Sequence, residues 1–221
     1  MADTYKRLGS VTFAVNNEPK ILYQTAVGKS AILSNITLVN TNTSVAKEAL
    51  ISIDPTFVPQ PQMSGYVQAD AQRIYLVTLQ PGETVILEPG ITIGDEHTII
   101  VSGLIDVVVS AFGLETDDTQ GHYKMFEMLD GGEGKYVPVP LGMQHLYRSI
   151  LLHNSAASTD EVSLKMGTAY GESTGTFIYS LPVGAGETVA IKLGIGAASQ
   201  QSLIVSAQLS NIKVFGVELS G

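Results

Sequence analysis

The chain has no cysteine and no tryptophan in 221 residues, and only 15% of its residues are charged. Without thiols there are no disulfides, no thiolate metal centres and no cysteine nucleophile. Twelve Lys and Arg against twenty-one Asp and Glu leave a formal charge of −9. Phosphate binding rests on basic side chains, so nucleic acid is not an expected partner. No apolar run approaches the roughly 18–20 residues that cross a bilayer, and a membrane is not an expected partner either. The start, Met1-Ala2-Asp3-Thr4-Tyr5-Lys6-Arg7, carries no apolar h-region, so no secretory signal is expected. Aromatic residues make up 7% of the chain, a weak basis for a sugar-binding platform. Hydrophobic residues, at 44%, are ample for packed cores and argue against disorder.

What is present is an echo. Ile74 to Ser102 returns 104 residues later as Ile178 to Ser206, with eleven identities in twenty-nine ungapped positions. Ile74-Tyr75 matches Ile178-Tyr179, and Gly82-Glu83-Thr84-Val85 matches Gly186-Glu187-Thr188-Val189. Gly90-Ile91 matches Gly194-Ile195, and Ile100-Val101-Ser102 matches Ile204-Val205-Ser206. Downstream, Phe112-Gly113-Leu114-Glu115 faces Phe215-Gly216-Val217-Glu218 at an offset of 103. Upstream, Gly28, Ile36, Leu38 and Asn40 face Gly142, Ile150, Leu152 and Asn154 at an offset of 114. A fixed-period echo marks one structural unit present twice. The expected domains are 1–115 and 123–221, with the polar stretch 116–122 as a linker. The change of offset falls mostly in Asp54–Gln72, which carries Pro55, Pro59, Pro61 and Gly65, against the shorter Gly167–Thr176. Surface loops accept such insertions at little cost.

Two-residue alternation dominates. In Ile32–Val39, Ile36 and Leu38 share one face while Asn35 and Thr37 take the other, as in a strand with one face buried. Gln80-Pro81-Gly82-Glu83 and Gly184-Ala185-Gly186-Glu187 are turn signals between short strands. About seven strands per unit, no helical stretch and glycine-rich turns predict an all-β protein of two tandem β-sandwich domains, jelly-roll or immunoglobulin-like, arising from an internal repeat. Ile99-Ile100-Val101 and Val107-Val108-Val109 are apolar at consecutive positions, as strands covered on both faces are.

No catalytic, cofactor or metal site is expected. The four histidines, His97, His122, His145 and His153, stand in no HxH or HExxH spacing and read as surface residues, His153 on the outward face of its strand. Asp95-Glu96 becomes Ser199-Gln200 in the second copy, and Glu115, Asp117 and Asp118 lead into the linker; solvated turns account for them. Glu83 and Glu187 recur, but each follows a turn glycine. Gly184–Glu187 and the Gly-Gly-Glu-Gly at 131–134 lead into no helix that would aim N–H groups at phosphate. No GxSxG frames a serine. The distinctive unrepeated segment is Phe57–Val67, apolar and aromatic residues mixed with prolines that exclude it from a central strand. Phe57, Val58, Met63, Tyr66 and Val67 are the candidate subunit contacts. Met125–Leu129 is a further apolar candidate for docking, and Tyr170 and Phe177 complete the exposed aromatics that a binding groove would use.

The order Leu22-Tyr23, Gly28-Lys29, Ile36 and Asn40, followed by Ile74-Tyr75, Gly82-Glu83-Thr84, Gly90-Ile91 and Phe112-Gly113-Leu114-Glu115, resembles a small β-sandwich module of tailed-bacteriophage virion proteins. The likeness covers both copies. The second departs with Gly142-Met143 in place of Gly-Lys and with Val137 at the tyrosine. The resemblance implies a structural, non-enzymatic virion protein of tail, neck, baseplate, fibre or capsid decoration, made in the host cytoplasm. Its implied partners are other copies of itself and other virion proteins, with a host-surface glycan as the alternative for a fibre module. A hydrolase would need two carboxylates about 5–10 Å apart in a cleft, and no acidic pair recurs in both copies. Deleting Phe57–Val67 is expected to leave both domains folded while weakening assembly; particle incorporation at the unmodified level would remove that segment from the interface.

Overall fold

The structure is a computed structural model that describes residues 4–54, 73–94, 97–118, 122–129, 132–168 and 175–220. It divides into two units, Met1–Gly121 and His122–Gly221. The first contains β1 (Thr4–Thr12), β2 (Glu18–Gln24), β3 (Lys29–Asn40), β4 (Lys47–Asp54), β5 (Arg73–Leu79), β6 (Thr84–Leu87), β7 (Ile91–Ile93), β8 (Thr98–Gly103) and β9 (Val107–Asp117). The second contains β10 (Tyr123–Leu129), β11 (Gly132–Pro138), β12 (Met143–Asn154), β13 (Asp160–Thr168), β14 (Thr176–Val183), β15 (Thr188–Ala197), β16 (Gln201–Ala207) and β17 (Ser210–Ser220). The protein is all-β. Where about seven strands per unit were expected, the described residues form nine and eight.

Among the described residues each unit has two antiparallel sheets. In the first the orders are β1-β9-β3-β6, with β7 also on β3, and β2-β8-β4-β5. In the second they are β10-β17-β12-β15 and β11-β16-β13-β14. The two units thus share one strand order, β15 standing where β6 and β7 stand. Glu88-Pro89-Gly90 interrupts the first unit's strand there, because proline has no N–H for a ladder. Every connection changes sheets except β4–β5, β6–β7 and β13–β14. That order is the double-sheet jelly roll rather than the immunoglobulin arrangement. The segment expected as a linker from residue 116 is partly strand: β9 continues to Asp117, and the Asp118 N–H donates to the Gly28 carbonyl at 2.9 Å.

The sheets of each unit face one another across an apolar core. In the second unit Tyr147, Ile150, Leu152 and Val214 of one sheet meet Val162, Leu164, Leu203 and Val205 of the other, all buried. Filling this core from a twelve-residue strand requires an adjustment. On β3 the buried apolar positions are Ala31 and Leu33, then Ile36 and Leu38, with Asn40 following them, a shift from odd to even numbers. The shift is a bulge between Leu33 and Asn35, opposite Gly113 and Phe112 of β9. On β12 it recurs between Tyr147 and Ser149, opposite Gly216 and Phe215. One extra residue restores the inward face of the strand beyond the bend.

This places a demand on the repeated Phe-Gly-x-Glu. A Cβ on Gly113 would overlap the Ile32 carbonyl oxygen, and one on Gly216 would overlap that of Leu146. The neighbouring strands bulge as well, β1 between Arg7 and Gly9 and β10 between Met125 and Glu127. The bulged side chains lie over the glycines: Leu8 Cδ1 is 3.1 Å and Phe126 Cε2 2.7 Å from the position of the missing Cβ. Gly82 and Gly186 are required for a different reason, φ values of +72° and +69° with open space around them. Gly113→Ala or Gly216→Ala is expected to destabilise by about 3 kcal/mol, since backbone must move. Gly82→Ala should cost about 1 kcal/mol, the left-handed conformation alone. Denaturant unfolding measures both, and equal losses would contradict the overlap argument.

Candidate functional site

Polar side chains that recur between the units gather at three places. The first is the turn after β5 and β14. Glu83 N–H donates to the Gln80 carbonyl at 3.0 Å, while a Glu83 carboxylate oxygen accepts the Gln80 N–H at 2.6 Å. Glu187 does the same with Gly184, at 3.1 and 2.6 Å. Gly82 and Gly186 supply the positive φ that the third position of a type II turn demands. The recurring glutamate therefore closes its own turn.

The second place is the end of β3 and β12. The amides of Asn40 and Asn154 are buried. Asn40 Nδ2 donates to the carbonyls of Val45, Leu79 and Gln80 at 2.9, 3.3 and 3.0 Å, and its Oδ1 accepts from Asn42 N–H. Asn154 Nδ2 donates to Ser158 and Val183 at 2.7 and 3.0 Å, and its Oδ1 accepts from Ala156 N–H. Their own N–H groups reach the carbonyls of Glu83 and Glu187. Each asparagine ties three chain segments together where the ladder ends, and that leaves no buried amide atom unsatisfied.

The third place is the corner where the first and last strands of a unit meet. Lys6 is opposite Gly113 and Lys124 is opposite Gly216, so each lysine reaches the glutamate two positions on. Lys6 Nζ contacts Glu115 at 2.9 Å, and the Tyr23 hydroxyl donates to the other oxygen at 2.9 Å. The Lys6 hydrogen bond, outweighing partial burial, holds the Glu115 carboxyl below the usual glutamate range. Burial first, and then the Glu115 carboxylate, push the Tyr23 phenol up. Asp117 is paired with Lys29, and Asp118 accepts from Ser30 Oγ at 2.7 Å. The acidic run expected as solvated linker is thus held at the strand end by cations and hydroxyls. In the second unit Lys124 pairs with one oxygen of Glu218, and His145 Nε2 lies 2.9 Å from the other.

His145 is buried rather than on the surface. The bulge puts it on the inward parity of β12 with Tyr147, and the Phe126 ring covers it at 4.2 Å between centroids. The neutral tautomer that satisfies the Glu218 carboxylate carries its proton on Nε2. Nδ1 then faces the Tyr147 hydroxyl at 3.3 Å, which itself donates to the Val137 carbonyl at 2.9 Å. Burial pushes the imidazole below its ordinary pKa more strongly than Glu218 raises it. Burial also raises Glu218, but the hydrogen bonds from Lys124 and His145 overcome this and hold the carboxyl low. Nε2 is thus spent on the chain's own carboxylate, while Nδ1 is shut in against a hydroxyl whose one proton goes to Val137.

His153, expected outward and exposed, is also buried, with Nδ1 2.8 Å from Thr188 Oγ1. Every position from Ser149 to Asn154 is buried, so that end of β12 is covered on both faces. His97 and His122 are half-buried elsewhere, and the His122 carbonyl accepts the Glu218 N–H at 2.7 Å. Among the described residues, no three of His, Asp and Glu gather where a metal ion could be held, and no helix is long and apolar enough to cross a membrane. Two features escaped the sequence reading. Asp160, buried, accepts the N–H groups of Gln208, Leu209 and Ser210 at 3.0, 3.0 and 2.8 Å, and these hold its carboxyl low against the upward push of burial. A groove of about 370 Å³ is lined by Pro138, Val139, Pro140, Leu141 and Gln200–Ser202. A further echo, Tyr5-Lys6 with Tyr123-Lys124, was the available signal for the corner. Phe57, Val58, Met63, Tyr66, Val67 and Tyr170 lie outside the described residues, as do Asp95 and Glu96. Phe177 stands on β14 opposite Lys165.

No protein-family model matches the chain, and no curated protein matches it. Among solved structures it is similar to a chain of broad bean stain virus, at 11% identity and a TM-score of 0.38, over 97% of this chain and 89% of that one. It is similar to a fucolectin from the serum of the striped bass Morone saxatilis at 9% identity and a TM-score of 0.25, covering 90% and 86%. A third similarity is to the N-terminal CBM22-1–CBM22-2 tandem domain of Xyn10C from Paenibacillus barcinonensis, at 11% identity and a TM-score of 0.28, covering 96% and 86%.

Stability should depend on pH through the Glu218–His145 pair. A histidine whose folded pKa is depressed stabilises the fold above its unfolded value near 6.5, and that contribution is lost as pH falls from there through the folded pKa. Glu218, Glu115 and Asp160 add losses below the ordinary carboxyl range. Glu218→Gln is expected to cost about 1–2 kcal/mol at neutral pH and to lower the His145 pKa further. NMR titration with thermal melts reads both, and a His145 pKa that rises in the variant would contradict the arrangement.

Proposed function

We propose that this chain is a non-enzymatic structural protein of a tailed-bacteriophage particle, assembling through sandwich edges and loops, with tail, neck or baseplate favoured over head. The observation that carries the reading is the fate of the recurring polar side chains. Glu83 and Glu187, Asn40 and Asn154, and Glu115 and Glu218 are all engaged in holding turns, strand ends or sheet corners. Residues shared by two units reveal what the units have in common, and here that is the scaffold. The jelly-roll order is compatible with the reading by analogy, since such folds serve in particle shells among other roles. The expected partners are further copies of the chain and other virion proteins, in an arrangement where many copies compensate for weak individual contacts.

One observation favours a second reading, a recognition module at a fibre tip or on the capsid surface. The groove beside Leu141 offers prolines with the amides of Gln200 and Gln201, a mixture that would suit a host-surface glycan. Two measurements separate the readings. Mass spectrometry and antibody labelling of purified particles should find the chain at a fixed copy number, and its absence from washed particles would end the structural proposal. A glycan array that gives binding lost in Gln200→Ala would instead support the recognition module.

A further inference from the structure

Four strands end the two sheets on the β5 and β6 side of the first unit and the β14 and β15 side of the second, and they are not equally guarded. End strands expose a row of N–H and C=O groups, and proteins blunt them with proline, charge or a bulge. Glu88-Pro89-Gly90 breaks the strand of β6 and β7. Pro182 sits within β14. On β15, Lys192 is exposed, and the register against β12 shifts beside it. The remaining strand, β5, has none of these devices between Tyr75 and Leu79. It runs in unbroken register against Lys47–Ile51, and among the described residues it is the last strand of its sheet.

The second unit acts as an internal control. Leu76 of β5 is 46% exposed, and the residue 104 positions on is Ser180. Thr78 corresponds to Pro182. Ile86, on the end strand of the facing sheet, is 61% exposed and corresponds to Ala190. At these three positions the first unit therefore has exposed leucine and isoleucine side chains and a pairing-competent threonine, where the second has Ser180, Ala190 and Pro182, although β14 exposes Tyr179 one residue earlier. Folding alone does not require the difference.

We propose that β5 is a docking edge, paired antiparallel with β5 of a second copy of this chain. Only an extended strand satisfies the edge of a sheet, because it alone presents donors and acceptors at the ladder spacing. Charge directs self-pairing to this edge rather than to the rest of the surface. The chain carries a net −9, which sets copies against each other over most of their surface. From Ile74 to Leu79 there is no Asp, Glu, Lys or Arg, so an antiparallel register within that span opposes no like charges. A two-fold pairing also brings the exposed Leu76 side chains of the two copies to one seam, beside Leu50 on the neighbouring strand. The inference deepens the assembly reading and rests on it.

The test uses the full chain. Sedimentation equilibrium should give twice the chain mass for the wild type. Leu76→Ser with Thr78→Pro, the residues the second unit has at these places, should raise the dimer dissociation constant at least tenfold while circular dichroism and melting stay close to wild type. Leu76→Ser alone, which leaves the backbone unchanged, should move it in the same direction. Because the chain has no cysteine, Leu76→Cys should cross-link under mild oxidation, whereas Val45→Cys, exposed in a turn, should not. A wild-type chain that is monomeric throughout, or equal cross-linking of the two cysteine variants, overturns the proposal. An oligomer that persists in the double variant overturns the β5 assignment and leaves the assembly reading standing. That reading fails separately, if the chain is missing from purified particles.

Discussion

Much of the structure depends on one close approach, that of a strand carbonyl to a glycine with no room for a side chain. Gly113 sits against the Ile32 carbonyl and Gly216 against that of Leu146, at the points where β3 and β12 bulge. Without the extra residue, a twelve-residue strand would turn its inner face outward beyond the bend. With it, Leu33 and Ile36, or Tyr147 and Ile150, all reach one core. The same geometry fixes the outer strand. β1 and β10 follow the bend with bulges of their own, and Leu8 or Phe126 closes over the glycine. That register is what brings Lys6 to Glu115 and Lys124 to Glu218.

The polar groups around this framework are of unequal value. The Lys6–Glu115 pair is largely solvated, and pairs of that kind contribute about 1 kcal/mol or less. The buried amides of Asn40 and Asn154 and the carboxylate of Asp160 matter more, because each satisfies several backbone groups at the end of a ladder, where an unmet donor costs about 1–3 kcal/mol. Glu218 stands between these cases. It is paired with Lys124 at the rim and with a buried imidazole on its inner side, so one carboxylate joins the solvated corner to the aromatic cluster of Phe126, His145 and Tyr147.

Several of these features were legible in the sequence. Alternation placed Ile36 and Leu38 inside, and the Gly-Glu-Thr echo located both turns. The all-β architecture followed from strand periodicity and turn glycines. Other features were hidden for identifiable reasons. A bulge changes the parity of a strand without a composition signal, so the inward position of His145 could not be read from alternation alone. His153 is outward by parity yet buried, because burial depends on what covers a face and not on which face it is. Asp160 has no echo in the first unit, where Lys47 stands at the corresponding place in the register, so comparing the copies could not single it out. The Tyr-Lys pair of β1 and β10 recurs at an offset of 118, displaced from the others by loops of unequal length.

The sequence by itself determined the class of fold, the extent of the repeated pattern, and the exclusion of thiol chemistry. Those are properties of composition and local period, which a chain carries before it folds. Only the tertiary structure decided that the strands run in jelly-roll rather than immunoglobulin order, since pairing between residues more than a hundred positions apart, such as Thr4 and Glu115, leaves little trace in either strand's own pattern. It also decided what the recurring motifs are for. The glycine of Phe-Gly-x-Glu is explained by a carbonyl from another strand, and its glutamate by a lysine from a third. Neither neighbour is visible until the chain has closed on itself.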